Sequence, residues 1–289
     1  MAGVTFQVGV VWPLPWPLLR LDRVWLRALK VETAATHLRV NLDVRNPHAG
    51  SVITMARDEG FAVLPVMDLD YDALARPGWF SSAAWPQYVN RCVELAGQYR
   101  LTQIEILNEP DTLHKIPPVI YATVVNEVGR QVHQQLPGTQ VVVAGEILRP
   151  HRKGPTPQPY FDRVRAGLIP DYHDVVGIHH YRDPGPPSAT RFGSRRAEHR
   201  HVQAAARHKP IMTTEIGWDL PRLERDEGRQ ADYVYEELVT SRELGLLGCY
   251  IYAHQEDPAL DYGIMRRDRR PRPAAHAIRR FVQDLECAA

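Results

Sequence analysis

Gln103-Ile104-Glu105-Ile106-Leu107-Asn108-Glu109-Pro110 is a short apolar run that closes on polar residues. From Gln103 to Leu107 it has the length and β-branched character of a strand. Seven similar runs lie along the chain: Val4 to Val10, His37 to Asp43, Phe61 to Leu69, Gln140 to Ile147, Asp174 to Tyr181, Ile211 to Trp218 and Gly248 to His254. Most are about thirty residues apart, the period of a strand-plus-helix unit. Helical patterns fill the intervals. The clearest is Ser82 to Tyr99, where Trp85, Tyr88, Val89, Cys92, Val93, Ala96 and Tyr99 recur at helical spacing and mark one buried face. Others run from Leu18 to Leu29, Pro117 to Leu136, Pro159 to Leu168, Arg195 to His208, Arg225 to Leu244 and Pro273 to Leu285, with Ser51 to Glu59 a shorter one. Prolines at several starts and Gly138 and Gly245 near two ends fit helix entry and exit chemistry.

Eight alternating repeats can close into a barrel or open into a doubly wound sheet. The open sheet would want a glycine-rich phosphate cradle, and the chain has neither GxGxxG nor GxxxxGK[ST]. Polar residues gather instead at the C-terminal ends of the runs: Arg39 and Asn41, Asp68, Asn108 and Glu109, Glu146, His179 to Tyr181, Glu215 and His254. In a barrel those ends share one face, where the βα loops build the active site. The expectation is an α/β protein, a (β/α)8 TIM barrel forming one domain over residues 1–289.

Composition narrows the partner. With 44% hydrophobic and 24% charged residues and no biased tract, the chain is of globular type. A formal charge of +1 supplies no field for a polyanion, so nucleic acid is set aside and a neutral partner is expected. Cys92, Cys249 and Cys287 are odd in number and far apart, which gives no disulfide framework and no metal or redox motif. No continuous apolar stretch is long enough to span a bilayer. No basic-then-apolar leader is visible at the N-terminus, so a cytoplasmic location is expected by default, with a mature secreted form left open.

Two strand ends carry the chemistry. Glu109 follows the fourth run, and Glu215 lies within Ile211-Met212-Thr213-Thr214-Glu215-Ile216-Gly217-Trp218, the seventh. A carboxylate at the end of an apolar strand is costly unless used or paired. One such glutamate is more often an ion-paired structural group. Two of them on one barrel mouth match the need of glycosidic cleavage for a proton donor and a second carboxylate flanking a cationic transition state.

The ordered set Asn108-Glu109-Pro110 after strand four and Thr214-Glu215-Ile216-Gly217-Trp218 on strand seven resembles the large clan of retaining barrel glycosidases with paired glutamates on strands four and seven. Arg39 on strand two and His179-His180-Tyr181 on strand six extend the likeness over almost the whole chain. The tail does too: Asp261-Tyr262-Gly263-Ile264-Met265 through Arg272-Pro273-Ala274-Ala275-His276-Ala277 is similar to the ending of the β-xylosidase-like branch. The resemblance implies a carbohydrate substrate, no cofactor, Glu109 as general acid/base and Glu215 as nucleophile. It also implies that Asn108 bonds the sugar 2-hydroxyl and that Arg39 lies beside Glu215 and holds it ionised. The two carboxyl groups are then expected about 5 to 5.5 Å apart, against about 6.5 to 9.5 Å for an inverting enzyme.

Alternation along strand six turns Gly177, His179 and Tyr181 inward, bringing Tyr181 to Glu215 and His179 to the acid/base or the substrate. His180 faces the other way. Sugar rings stack on flat apolar surfaces, and Trp12, Trp16 and Trp218 are candidates for a subsite wall. Asp68 and Glu146 are further candidates for substrate contact. Many clan members carry a tryptophan at the end of strand eight, where this chain reads Tyr250-Ile251-Tyr252-Ala253-His254, leaving Tyr252 or His254 as its replacement. Two other readings stay open: a sugar-binding barrel without catalysis, and a metal-dependent barrel hydrolase. The second lacks its sequence signals, since no HExxH helix is present and His199-x-His201 places its side chains apart on a helix. No metal site is expected.

Overall fold

A computed structural model of the protein describes residues 6–12, 22–69, 84–111, 116–147, 159–179, 181, 185–188, 199, 202–203, 206, 209–253, 255 and 261–287. Its strands are β1 Gln7–Trp12, β2 His37–Asp43, β3 Ala62–Asp68, β4 Gln103–Ile106, β5 Gln140–Ile147, β6 Val175–His179, β7 Ile211–Ile216 and β8 Gly248–Ile251. All are parallel and pair in chain order, and β1 closes on β8 through Gln7 opposite Gly248. This is the expected (β/α)8 barrel. Helices α1 Arg23–Thr33, α2 Ala49–Asp58, α3 Ala84–Gln98, α4 Pro118–Gln135, α5 Pro159–Gly167, α6 Glu227–Glu243 and α7 Pro273–Cys287 surround it. The helix expected from Arg195 to His208 falls mostly outside the described residues. Asp22 caps α1 by accepting from the Val24 N–H at 2.7 Å, and Asp226 caps α6 by accepting from the Arg229 N–H at 2.9 Å, each satisfying a donor that the first helical turn cannot.

Strand alternation divides the apolar residues between two cores. Val11, Leu64, Val142, Val175, Met212 and Tyr250 fill the barrel interior, while Val8, Val10, Ile104, Ile106, Val176 and Ile178 face the helices. On β6 this leaves Gly177 and His179 inward, as the pattern predicts. Helix α3 buries Tyr88, Val89, Cys92, Val93 and Ala96, the face read from its spacing.

Several strand ends differ from expectation. β1 begins later and runs to Trp12, because its register is fixed by pairing with β2 and β8 rather than by its own composition. β4 stops at Ile106, since Leu107 takes φ 61 and leaves the extended region. β6, β7 and β8 likewise end at His179, Ile216 and Ile251, earlier than their apolar runs.

One irregularity decides where Glu215 points. Ile211 and Ile216 both face the helices although five residues apart, an odd offset that regular alternation forbids. The register supplies the extra residue: β6 pairs Ile178 with Thr213 and then His179 with Glu215, and β8 skips likewise between Thr213 and Ile216. A β-bulge around Thr214 re-aims the strand end, which places Glu215 on the side of His179. None of the three cysteines forms a disulfide, and Cys92 and Cys249 are buried; burial pushes the Cys92 thiol up to about 12 against the lowering effect of its bond to Tyr88, so it is an inert core group. No helix among the described residues is long and apolar enough to cross a membrane.

Candidate active site

Arg39 organises the barrel mouth from below. Its guanidinium is fully buried on β2 and forks onto Glu105 of β4, with Nε 2.7 Å from Oε2 and Nη2 2.9 Å from Oε1. Nη2 also donates to Asn108 Oδ1 at 2.8 Å, and Nη1 to Glu215 Oε2 at 3.0 Å. Burial works against the charged guanidinium, but the facing charges of Glu105 and Glu215 outweigh it and hold the group cationic, with its pKa raised. One planar fork thus sets the position of three side chains on two other strands.

Glu215 is held from both sides. Its second oxygen, Oε1, accepts from the Tyr181 hydroxyl. Burial, followed by the Glu215 charge and hydrogen bond, raises the Tyr181 pKa well above the usual phenol value, so the hydroxyl keeps its proton and remains a donor. Glu109 lies across the mouth, with Oε1 3.0 Å from His179 Nδ1. Its backbone takes φ 43, a left-handed conformation that a non-glycine residue adopts only where its surroundings impose it. An acceptor or donor atom from each of Glu109, His179 and Glu215 lies within 4.8 Å of the others. Glu109, Glu215 and His179 are all buried.

His179 balances opposing effects. Full burial lowers its pKa, while the Glu215 charge and the Glu109 hydrogen bond raise it, and the net shift is upward from the usual 6.5. A raised folded-state value means that the native protein binds more protons than the unfolded chain above that pH. The stabilisation is therefore complete below about pH 6.5 and is lost as pH rises through the folded value. Urea titrations from pH 6 upward should show wild-type stability falling in that window and a flatter profile for His179→Asn; parallel profiles would remove His179 from the account.

The structure brings Arg39, Asn108, Glu109, His179, Tyr181 and Glu215 together, as the sequence led one to expect. Asp68 ends β3 nearby, buried, accepting from the Asn41 amide at 3.2 Å and from the Leu69 N–H at 2.9 Å. Tyr252 lies beyond β8 with its ring centroid 6.4 Å from that of Tyr181. Two expected platforms are corrected. Trp12 belongs to β1 and points into the helix layer, buried against Trp25 edge to face at 6.5 Å. Trp218 is equally buried, its indole N–H donating to the Gly185 carbonyl at 2.9 Å and its ring packed 5.8 Å from Tyr233. Neither presents a face to a ligand, Trp12 because it lies on the outward side of β1 and Trp218 because it is packed away beyond the end of β7. His254, His180 and Trp16 lie outside the described residues, as does the side chain of Glu146.

Glu105 was missed as a site residue, although its signal was visible: an acid between Ile104 and Ile106, at the inward parity of β4. Glu109, His179 and Glu215 are the one group with the donor types and spacing of a metal site among the described residues. Both Glu215 oxygens already accept hydrogen bonds, one of them from the Arg39 cation, so a divalent ion there would displace a donor and face a fixed positive charge. The donor set fits a hydrogen-bonded carboxylate pair better than a metal.

No protein-family model matches the sequence, and no curated protein is similar to it in sequence. Solved structures do share its architecture. A GH5-4 broad-specificity endoglucanase from Clostridium longisporum superposes with a TM-score of 0.67 at 10% identity, covering 96% of this chain and 97% of that one. A GH128 subgroup IV endo-β-1,3-glucanase from Lentinula edodes gives 0.61 at 15%, covering 94% and 98%. A GH30 endoxylanase from Clostridium papyrosolvens gives 0.63 at 14%, covering 96% and 71%. At these identities the likeness is one of fold.

Proposed function

We propose that the protein is a retaining glycoside hydrolase, one barrel domain that cleaves a β-linked glycan or glycoside with Glu109 as general acid/base and Glu215 as nucleophile. The observation that carries this reading is the approach of a Glu109 oxygen and a Glu215 oxygen to within 4.8 Å at the barrel mouth. So short an approach is in keeping with the carboxyl separation of retaining enzymes, about 5 to 5.5 Å, rather than with the about 6.5 to 9.5 Å of inverting ones. The clan resemblance, and structural neighbours that are an endoglucanase, an endo-β-1,3-glucanase and an endoxylanase, support it further.

In this reading Glu215 attacks the anomeric carbon, and the bond from that carbon to the leaving oxygen breaks as Glu109 delivers its proton to that oxygen. Glu109 then removes a proton from water, which displaces Glu215 from the covalent intermediate. Arg39 and Tyr181 fix the two nucleophile oxygens, so attack requires little reorganisation. His179 keeps a proton in hydrogen-bond contact with Glu109, within reach of the acid step. Because Asn108 Oδ1 is engaged by Arg39, its amide nitrogen is the end left to donate to the sugar 2-hydroxyl.

A set of aryl β-glycosides and β-linked polysaccharides, assayed with and without a chelator, tests the reading. Turnover that is indifferent to chelator is expected. Calorimetric sugar binding without turnover would favour a binding barrel, and activity abolished by chelator would favour metal-dependent chemistry.

A further inference from the structure

An ion pair buried behind the mouth reaches the candidate nucleophile through a chain of contacts. Arg272, the residue before α7, is 3% exposed and forks onto Asp261, with Nη1 2.7 Å from Oδ1 and Nη2 2.9 Å from Oδ2. Nη1 also donates to the Gly263 carbonyl at 2.8 Å, and the Arg272 backbone N–H donates to the Ile264 carbonyl at 2.9 Å. Asp261 in turn donates its N–H to Asp219 Oδ1 at 2.9 Å and accepts at its carbonyl from the Leu220 N–H at 2.9 Å. Glu227, the first residue of α6, stands 3.5 Å from Arg272 Nε and accepts from Arg266 Nη2 at 2.7 Å. One fork thus ties together the chain leaving β7, the start of α6 and the chain entering α7.

Desolvation of two buried charges offsets much of their attraction, so such a pair does little for stability that apolar residues would not do. Its position is more telling. The Tyr262 carbonyl, next to Asp261, accepts from the Ala253 N–H at 3.2 Å, and the Ile264 N–H donates to the Ala253 carbonyl at 2.9 Å. Tyr262 is therefore bracketed against the end of β8. Its ring meets those of Tyr181 and Tyr252 edge to face, at 5.6 and 5.4 Å. Gly217 lets these groups close: a Cβ there would stand 2.2 Å from the Tyr252 carbonyl oxygen and 3.0 Å from Tyr262 Cδ1.

Tyr181 needs that support. It lies two residues past His179, the last residue of β6, so strand pairing does not hold it, yet its hydroxyl is the donor to Glu215 Oε1. Its orientation is set by the rings packed on it.

We propose that Asp261 and Arg272 are positioning residues for the candidate nucleophile: by pinning Tyr262 against Tyr181 they fix the hydroxyl that orients Glu215. This rests on the glycosidase reading above. A misplacement of about 1 Å imposed from outside the reacting groups can cost about 100-fold in rate. A loss of this kind falls on kcat and kcat/KM alike and leaves KM in place.

The test is a double-mutant cycle on a 4-nitrophenyl β-glycoside, comparing wild type, Asp261→Asn, Tyr181→Phe and the combined variant, with a thermal melt of each. Asp261→Asn keeps the size of the side chain and removes the charge that holds the Arg272 fork. It is expected to lose about 10- to 100-fold in kcat with KM within about twofold. In the Tyr181→Phe background, where no hydroxyl is left to position, the same change should cost no more than about threefold. Equal losses in both backgrounds would overturn the proposal, since a general loosening of the fold acts whether or not residue 181 carries a hydroxyl. Full activity of Asp261→Asn would overturn it too. If Asp261→Asn does not fold, Arg272→Lys, which keeps the charge and loses the fork, decides by the same cycle and the same outcomes. Either contrary result, in a wild type that cleaves glycosides, leaves the glycosidase reading intact. A wild-type protein that cleaves no glycoside overturns that reading and this proposal with it.

Discussion

Glu215→Ala is expected to lower kcat on an aryl β-glycoside by about four orders of magnitude or more, the scale seen when a covalent nucleophile is removed. Sodium azide should restore part of the rate. The alanine leaves a cavity the size of a small anion on the attacking side of the sugar, and azide entering it would give a glycosyl azide of inverted configuration. The fold should survive the change, because Arg39 keeps its fork on Glu105 when Glu215 is gone. A variant that is inactive, folded and rescued by azide identifies a nucleophile; undiminished activity would remove Glu215 from that role.

Glu105→Gln should act in the opposite way, through stability first. Arg39 and Glu105 are both fully buried, and removing one partner of a buried pair costs about 3 to 5 kcal/mol, since the remaining charge has lost its compensation. Glu215 would still face Arg39, but through one nitrogen instead of a fork. The combined Arg39→Met and Glu105→Leu protein should recover much of that stability in urea titrations, because apolar replacements of a buried pair are often neutral or better. It should not recover activity, as Glu215 and Asn108 lose the group that positions them. Stability and activity returning together would mean that Arg39 has no part in the site.

How far the sequence speaks depends on whether a residue is governed by its own strand or by its neighbours. β2 and β5 were bounded correctly, each opening on a polar residue, His37 and Gln140, that leads into an apolar run. His179 and Tyr181 were legible because strand parity turns them inward, and Arg39 through the clan resemblance. β1 was not, since Val4 to Val10 is as apolar as Gln7–Trp12 and only closure against Gly248 chooses between them. That choice turned Trp12 toward the helices. Nothing in Thr213-Thr214 announces the bulge that aims Glu215, which exists because β6 and β8 both skip a residue there. Tyr262 sits in a segment without periodicity, held through long-range contacts such as the Asp261–Arg272 pair beside it and the Ala253 N–H on its carbonyl.

The most direct test of the carboxylate pair is the configuration of the first-formed product. Hydrolysis of a β-glycoside in deuterated water, followed by proton NMR before mutarotation sets in, should show the β-anomer appearing first. Initial release of the α-anomer would contradict the account, because a single displacement by water inverts the anomeric centre.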